Sequence, residues 1–346
     1  MELKLTRFPL KKFILKNIFH RIIFFKNPFI LVFLWFKGFD SDSILSYNLN
    51  LKNYHLYLPD GVKYRITLST NSGYWPIMHD KLIFYNYINH KLPTPELDFI
   101  IYEGQLIPVE DKSNDLNRII QSGFEYVLKP LQGGEGQGIS FIKEENGIRY
   151  FKNNPLIRSE LVSFVSGCNF YGIFRYYRQH SLLNKIFSGT TNTIRMITLK
   201  DVETKSPFIF NSSLRIGWSG SAPLDNFTRG GLVAQIDNET GVVSKWKRKR
   251  VVSGLVNIEE GREHPDTQEV IEGIVIPHWE EVKNKILQFM SDNPFLDFIG
   301  WDILITEDSF VVIEANHNPG LYTVQLFKPY LSDSRAYNFF KSKKII

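Results

Sequence analysis

Cysteine is nearly absent from this chain of 346 residues: Cys168 stands alone. That excludes an internal disulfide and suits a reducing cytoplasm. Long apolar runs are missing too. The longest charge-free stretch of the N-terminal segment, Asn27 to Phe36, is far short of the roughly 20 apolar residues that cross a bilayer, and no small-residue cleavage site follows to suggest a signal peptide. There is no internal repeat or low-complexity tract. No Ser/His/Asp or Cys/His set is evident. His264, in REHPDT, has no His or Cys partner at metal-ligand spacing and reads as loop structure or a substrate contact. The charge balance is mildly basic, 41 Lys and Arg against 36 Asp and Glu, a net charge of +5. Much of the excess lies in the first 40 residues and in KWKRKR, Lys245 to Arg250. No nucleic-acid-binding signature accompanies it, so nucleic acid is not the expected partner. KWKRKR reads as a solvated basic loop, and the basic balance favours anionic substrates or a membrane surface.

What the sequence does contain is concentrated in FIGWDILITEDSFVVIEANHNPG, Phe298 to Gly320. FIGWDILIT and SFVVIEAN are short apolar β-formers, and TEDS is the polar turn of a hairpin. Glu314 and Asn316 are two apart on one strand and leave by the same face, where Asp302 on the partner strand meets them. Acids embedded in apolar runs are costly to bury unpaired. Two carboxylates and an amide suit Mg²⁺, which completes its octahedron with water and phosphate; Mn²⁺ is acceptable in its place. A surface hairpin with solvated acids is the bland alternative.

Upstream, FEYVLKPLQGGEGQGISFIK runs from Phe124 to Lys143. An apolar strand ends in Lys129 and Pro130, a turn with Gly133, Gly134, Gly136 and Gly138 follows, and a second apolar strand leaves it. Glycines at that density let backbone N–H groups converge on an anion, and the lysine adds a point charge. The turn joins two strands, which argues against a Walker loop or a dinucleotide fingerprint.

In this order, a lysine strand, a glycine-rich hairpin, a hinge, a basic strand and an Asp/Glu/Asn triad resemble the ATP-grasp superfamily from about Asp80 to Gln325. NTIRMITL, LDNFTRGGLVAQID, HPDT, IPHW, IGWDI and IEAN resemble more narrowly the sugar-transfer associated ATP-grasp proteins of cell-surface polysaccharide biosynthesis. The resemblance implies an α+β, ATP-grasp fold with the nucleotide between two α/β lobes, with ATP and Mg²⁺ as cofactors. It implies that Lys81 and Lys129 contact the triphosphate and that Gly133, Gly134, Gly136 and Gly138 close over it. Strand amides and side chains of Tyr171, Ile173 and Phe174 would hold the adenine, although the acid that commonly binds the ribose is not evident: Phe174 and Arg175 stand where it is expected. Arg195 aligns with the arginine that steadies the transferred phosphoryl group, and Arg215 would grip that group or an acid substrate; structural salt bridges are the alternative for both. Asn226, Arg229, Gly230 and Gly231 resemble a turn beside the acceptor site of related amino-acid ligases.

The expected organisation is a helical region over 1–50, an α/β lobe over 51–116, the lysine and glycine-hairpin lobe over 117–166, a lobe with the metal site over 167–331, and a basic tail over 332–346. The helix from Glu280 to Met290 is an amphipathic crossover. The implied activity is an ATP-dependent carboxylate–amine ligase that works through an acyl phosphate, with small-molecule or glycan acid and amine substrates, in the cytoplasm. A kinase acting on a sugar or polyol hydroxyl and a noncatalytic ATP-binding scaffold are the alternatives. The basic, aromatic N-terminal segment suits either the inner face of a membrane or packing on the catalytic body.

Overall fold

A computed structural model describes residues 28–109, 116–133, 136–252 and 255–346. Two antiparallel sheets of seven strands organise it. The first contains β1 (Leu97–Tyr102), β2 (Gln105–Pro108), β3 (Tyr126–Pro130), β4 (Ser140–Glu145), β5 (Ile148–Phe151), β6 (Asn154–Pro155) and β7 (Tyr171–Arg175), in the order β2-β1-β7-β3-β4-β5-β6. The second contains β8 (Thr193–Lys200), β9 (Pro207–Ile216), β10 (Leu232–Ile236), β11 (Val243–Val252), β12 (Leu255–Gly261), β13 (Phe298–Ile305) and β14 (Phe310–Asn316), in the order β12-β11-β10-β9-β8-β13-β14.

The helices that matter for the site and its surroundings are α1 (Pro28–Phe36), α2 (Ser41–Ser46), α3 (Lys81–Ile88), α4 (Arg158–Gly167), α5 (Trp279–Asp292), α6 (Leu321–Gln325) and α7 (Ser334–Ser342). The expected crossover is α5. It buries Val282, Ile286, Phe289 and Met290, a spacing that puts one stripe of the helix against the sheet. Every residue of β13 is buried, because α5 and its neighbours cover one face and α6 and α7 the other; a continuous apolar run is what a strand covered on both faces requires. Trp301 lies against Phe289 edge to face at 5.5 Å.

The first sheet draws β1 and β2, β3 to β6, and β7 from three of the segments expected from the sequence, because pairing between distant strands, not chain continuity, builds it. The tail over 332–346 is α7 and its flanks. Phe339 and Phe340 are buried there against Phe298 and Tyr330. The N-terminal region contributes α1 and α2; residues 1–27 lie outside the described residues. Among the described residues, no helix is long and apolar enough to cross a membrane.

Helix α3 joins the two sheets. Asp80 caps it by accepting from Leu82 N at 2.9 Å and Ile83 N at 3.1 Å. Phe84 and Ile88 enter the core of the second sheet, whereas Tyr85 packs with Leu97, Leu131 and Phe174 of the first.

Candidate active site

The hairpin expected from the sequence forms, with Asp302 directly opposite Glu314 and Gly300 opposite Asn316. On the other side of β13, Asp302 pairs with Arg195, and Arg195 in turn with Ser213. Antiparallel partners share a face, so Ser213, Arg195, Asp302 and Glu314 form one row across four strands. Asp302 Oδ1 lies 2.7 Å from Arg195 Nε and 3.4 Å from Arg215 Nη2, and Arg195 Nη2 donates to Oδ2 at 3.2 Å. The two arginines therefore make the ion pairs that the sequence left open for them, both with the same carboxylate. Burial pushes the Asp302 carboxyl up, but the two guanidinium groups outweigh it and hold the carboxyl below the usual range. Burial and the Asp302 charge raise Glu314, against the pull of Lys129 and Lys81.

That pull comes from Lys129 of the first sheet and Lys81 of α3. Lys129, at the end of β3, is buried and faces Glu314; its burial, with a smaller push from Lys81, brings its ammonium down to about 8 despite the carboxylate. Its Nζ lies 4.4 Å over the Phe174 ring. Lys81, first residue of α3, donates to the Gly133 carbonyl at 2.8 Å, and its own amide donates to Leu131 O at 2.9 Å. The helix start, the lysine strand and the glycine turn are thus fastened together. Gly136 and Gly138 both have φ of +73°, and a Cβ on Gly136 would come within 2.7 Å of Leu224 Cδ2. Gly134 lies outside the described residues.

The sequence model of the sugar-transfer associated ATP-grasp family matches residues 64–332. The chain belongs to that family. No curated protein matches it. Among solved structures, this ATP-grasp protein is similar to a D-alanine–D-alanine ligase from Bacillus anthracis, with 13% identity, 79% of this chain and 70% of that chain covered, and a TM-score of 0.38. It is also similar to VanG D-Ala:D-Ser ligase from Enterococcus faecalis, with 8% identity, coverage of 78% and 63%, and a TM-score of 0.42. For N5-carboxyaminoimidazole ribonucleotide synthetase from Thermotoga maritima the values are 10% identity, coverage of 71% and 43%, and a TM-score of 0.35. The ATP-grasp chain spans less than half the length of the synthetases it matches, 46% in one case and 43% in the other. Family membership rests on the sequence match.

The donor set of the ATP-grasp hairpin fits a hard cation. Asp302 Oδ1 is buried without a hydrogen-bond donor aligned on it, and the buried Asn316 Nδ2 has no partner; rotating that amide presents its oxygen instead. Among the described residues no group of three or more His, Cys, Asp and Glu side chains gathers. Two carboxylates and an amide leave most of an octahedron to water and phosphate, which is how Mg²⁺ is usually held.

The adenine hinge is where the structure departs from the expectation. β7 lies in the middle of the first sheet, with β1 on one side and β3 on the other, so its backbone is engaged along both edges. Its side chains alternate. Phe174 shares the face of Lys129, whereas Ile173 is fully buried and Tyr171 partly buried in the core under α4. Tyr171 and Ile173 are thus turned away from Lys129. Arg175, where a ribose-binding acid is usual, pairs with Glu96 at 2.8 Å and Asp98 at 3.3 Å.

The turn at 226–231 is also more structural than expected. The Asn226 side chain accepts from Thr228 N at 3.1 Å and Thr228 Oγ1 at 3.0 Å, so it caps the turn, and Arg229 is exposed on it. The residue that reaches the site is the preceding Asp225, which sequence reasoning passed over. It accepts from Thr193 N at 3.1 Å and lies 3.5 Å from Arg215 Nε. Arg215 donates to Thr193 Oγ1 from Nε at 2.9 Å and Nη2 at 2.6 Å. Burial lowers and Asp225, Asp302 and Glu314 together raise the Arg215 guanidinium, with a net rise that keeps it charged. An acid directly ahead of the turn was the available signal. His264 is structural: buried, with Nε2 2.8 Å from Gly217 O and its ring stacked on Phe187.

Proposed function

We propose that this protein is an ATP-dependent carboxylate–amine ligase that works through an acyl phosphate and modifies a cell-surface polysaccharide or its sugar precursor. One observation carries the reading: Lys129 of β3 and Lys81 at the start of α3 act on Glu314, while Arg195 and Arg215 pair with Asp302 directly opposite it. Cations on both sides of two acids match a reaction that brings a triphosphate and a carboxylate together. Lys129 and Lys81 neutralise phosphate oxygens on the nucleotide side. Arg195 and Arg215 orient the incoming carboxylate and the transferred phosphoryl group, with Asp225 and Thr193 holding the Arg215 fork. Mg²⁺, bound by Asp302, Glu314 and Asn316, would supply the remaining positive charge on the triphosphate. The γ-phosphoryl group passes to the carboxylate, ADP leaves, and the amine displaces phosphate from the acyl carbon. Holding these reactants together in a water-poor site supplies much of the acceleration. The family's association with sugar transfer supports a glycan or sugar acid as acceptor.

The test is ADP release by the purified protein with Mg·ATP and uronic acids crossed with amino acids and amino sugars, with products read by mass. A product equal to acid plus amine less water supports the ligase. A stable phosphorylated sugar without need of an amine replaces it with a kinase, and nucleotide binding with no release from any pair counts against catalysis.

A further inference from the structure

Helix α1, PFILVFLWF, has no charged side chain, and its one polar group, the Trp35 indole N–H, donates to Ser41 Oγ at 3.0 Å. A helix of that kind is ordinarily enclosed by protein or lipid, yet this one lies at the surface. Leu31 and Leu34 are fully buried, packed with Phe39, Ile44, Phe227 and Val233. Val32 and Phe36, one turn apart on another face, are 39% and 88% exposed, and the exposed Lys37 follows directly. The helix is held at the β12 edge of the second sheet: Ile258 packs into its cluster, and Asp42 of α2 takes Lys249 of β11 at 2.6 Å. Farther along the same β-ribbon come the exposed Arg250 and two more apolar side chains in solvent, Val251 at 61% and Val252 at 50%.

The charge of the neighbouring sequence selects the partner. Between Glu2 and Asp40 the chain has eight Lys and Arg residues and no acid. Apolar side chains continuous in sequence with a basic, acid-free segment, beside ribbon acids that are paired (Asp42 with Lys249, Glu259 with Arg248), suit a surface that is negative outside and hydrocarbon within, where aromatics settle at the headgroup level and basic residues meet phosphates. We propose that α1 and the end of the β11–β12 ribbon form a docking face for an anionic lipid bilayer, on which the protein lies without crossing it. The proposal is independent of the reaction assigned above.

The full-length protein is sedimented with vesicles of phosphatidylcholine alone or mixed with phosphatidylglycerol. It is expected to follow the anionic vesicles, less so at high salt, and the variant Phe36→Ser/Val251→Ser/Val252→Ser is expected to bind at least about tenfold more weakly. All three side chains are exposed, so the variant should keep its circular dichroism spectrum. In a second measurement, an environment-sensitive fluorophore on Val32→Cys, with Cys168→Ser to leave one thiol, should shift to the blue with anionic vesicles. Absence of binding, equal binding to neutral vesicles, or an unmoved fluorophore would overturn the proposal. So would a dimer that the triple variant dissociates while the wild type ignores vesicles, since the face would then belong to a second copy of the chain.

Discussion

Burial weakens the hold of Lys129 on its proton before any ligand arrives. With its ammonium at about 8, the lysine is half charged near that pH, and an anion bound beside it favours the charged form. Nucleotide binding near pH 8 should therefore take up about half a proton, and affinity should fall as pH rises above that value. Calorimetry in buffers of different ionisation enthalpy measures the uptake; equal heats in all of them would remove Lys129 from the phosphate contacts. The unfolded chain keeps the same proton to about 10.4, so the unfolded state binds more protons between about 8 and 10, and this residue's contribution to stability grows as pH rises through that window. Glu314→Gln should lower turnover by about a hundredfold or more without changing the circular dichroism spectrum, because it takes charge from a preorganised site; turnover at the wild-type rate would exclude Glu314 from the mechanism. Asp302, Glu314 and Asn316 could be read together from the sequence because a two-residue period fixes a shared face. Tyr171 and Ile173 could not be placed in the same way. The period says that they oppose Phe174, but which side meets Lys129 is decided by α4 packing beneath the sheet.

At the scale of elements, the legible parts were hairpins and helices whose partners lie close in sequence. β13–β14 and β3–β4 formed where apolar strands flank a polar or glycine-rich turn. The insertion of β7 between β1 and β3 has no local signal, since it depends on residues about 45 to 75 positions apart meeting in space, and α7 hid its apolar stripe among basic residues. The glycine turn offers an experiment with an internal control. Gly133→Ala and Gly136→Ala both place a Cβ on a positive-φ backbone, but Gly133 has nothing within 4 Å whereas Gly136 meets Leu224. Strain of roughly 1 kcal/mol is common to both. Gly136→Ala should therefore raise the Kd for Mg·ATP by about fivefold more than Gly133→Ala, and Leu224→Ala should restore it. Equal effects of the two glycine variants would mean that Leu224 is not against the closed turn. In the neighbouring loop, Asp225→Asn should reduce the preference for Mg·ATP over Mg·ADP by several-fold, because it loosens Arg215 without touching either lysine. Parallel losses for the two nucleotides would indicate a general effect on folding.

For the molecule as a whole, α3 is the element shared by both cores. Phe84→Ala, on the side of the second sheet, and Tyr85→Ala, on the side of the first, remove rings that are each 6% exposed. Each should cost about 3 kcal/mol or more, and both should shift one common unfolding transition, measured in urea by fluorescence and circular dichroism. Transitions that separate between the two probes would show that the sheets unfold independently. The contact of Gly136 with Leu224 has a kinetic corollary. On the proposed function the turn covers the nucleotide and rests on the loop beside Arg215, so a molecule on the acceptor side would prop the exit shut. Nucleotide should have a longer residence time when the second substrate is present, and the last product to leave should be the one behind the turn.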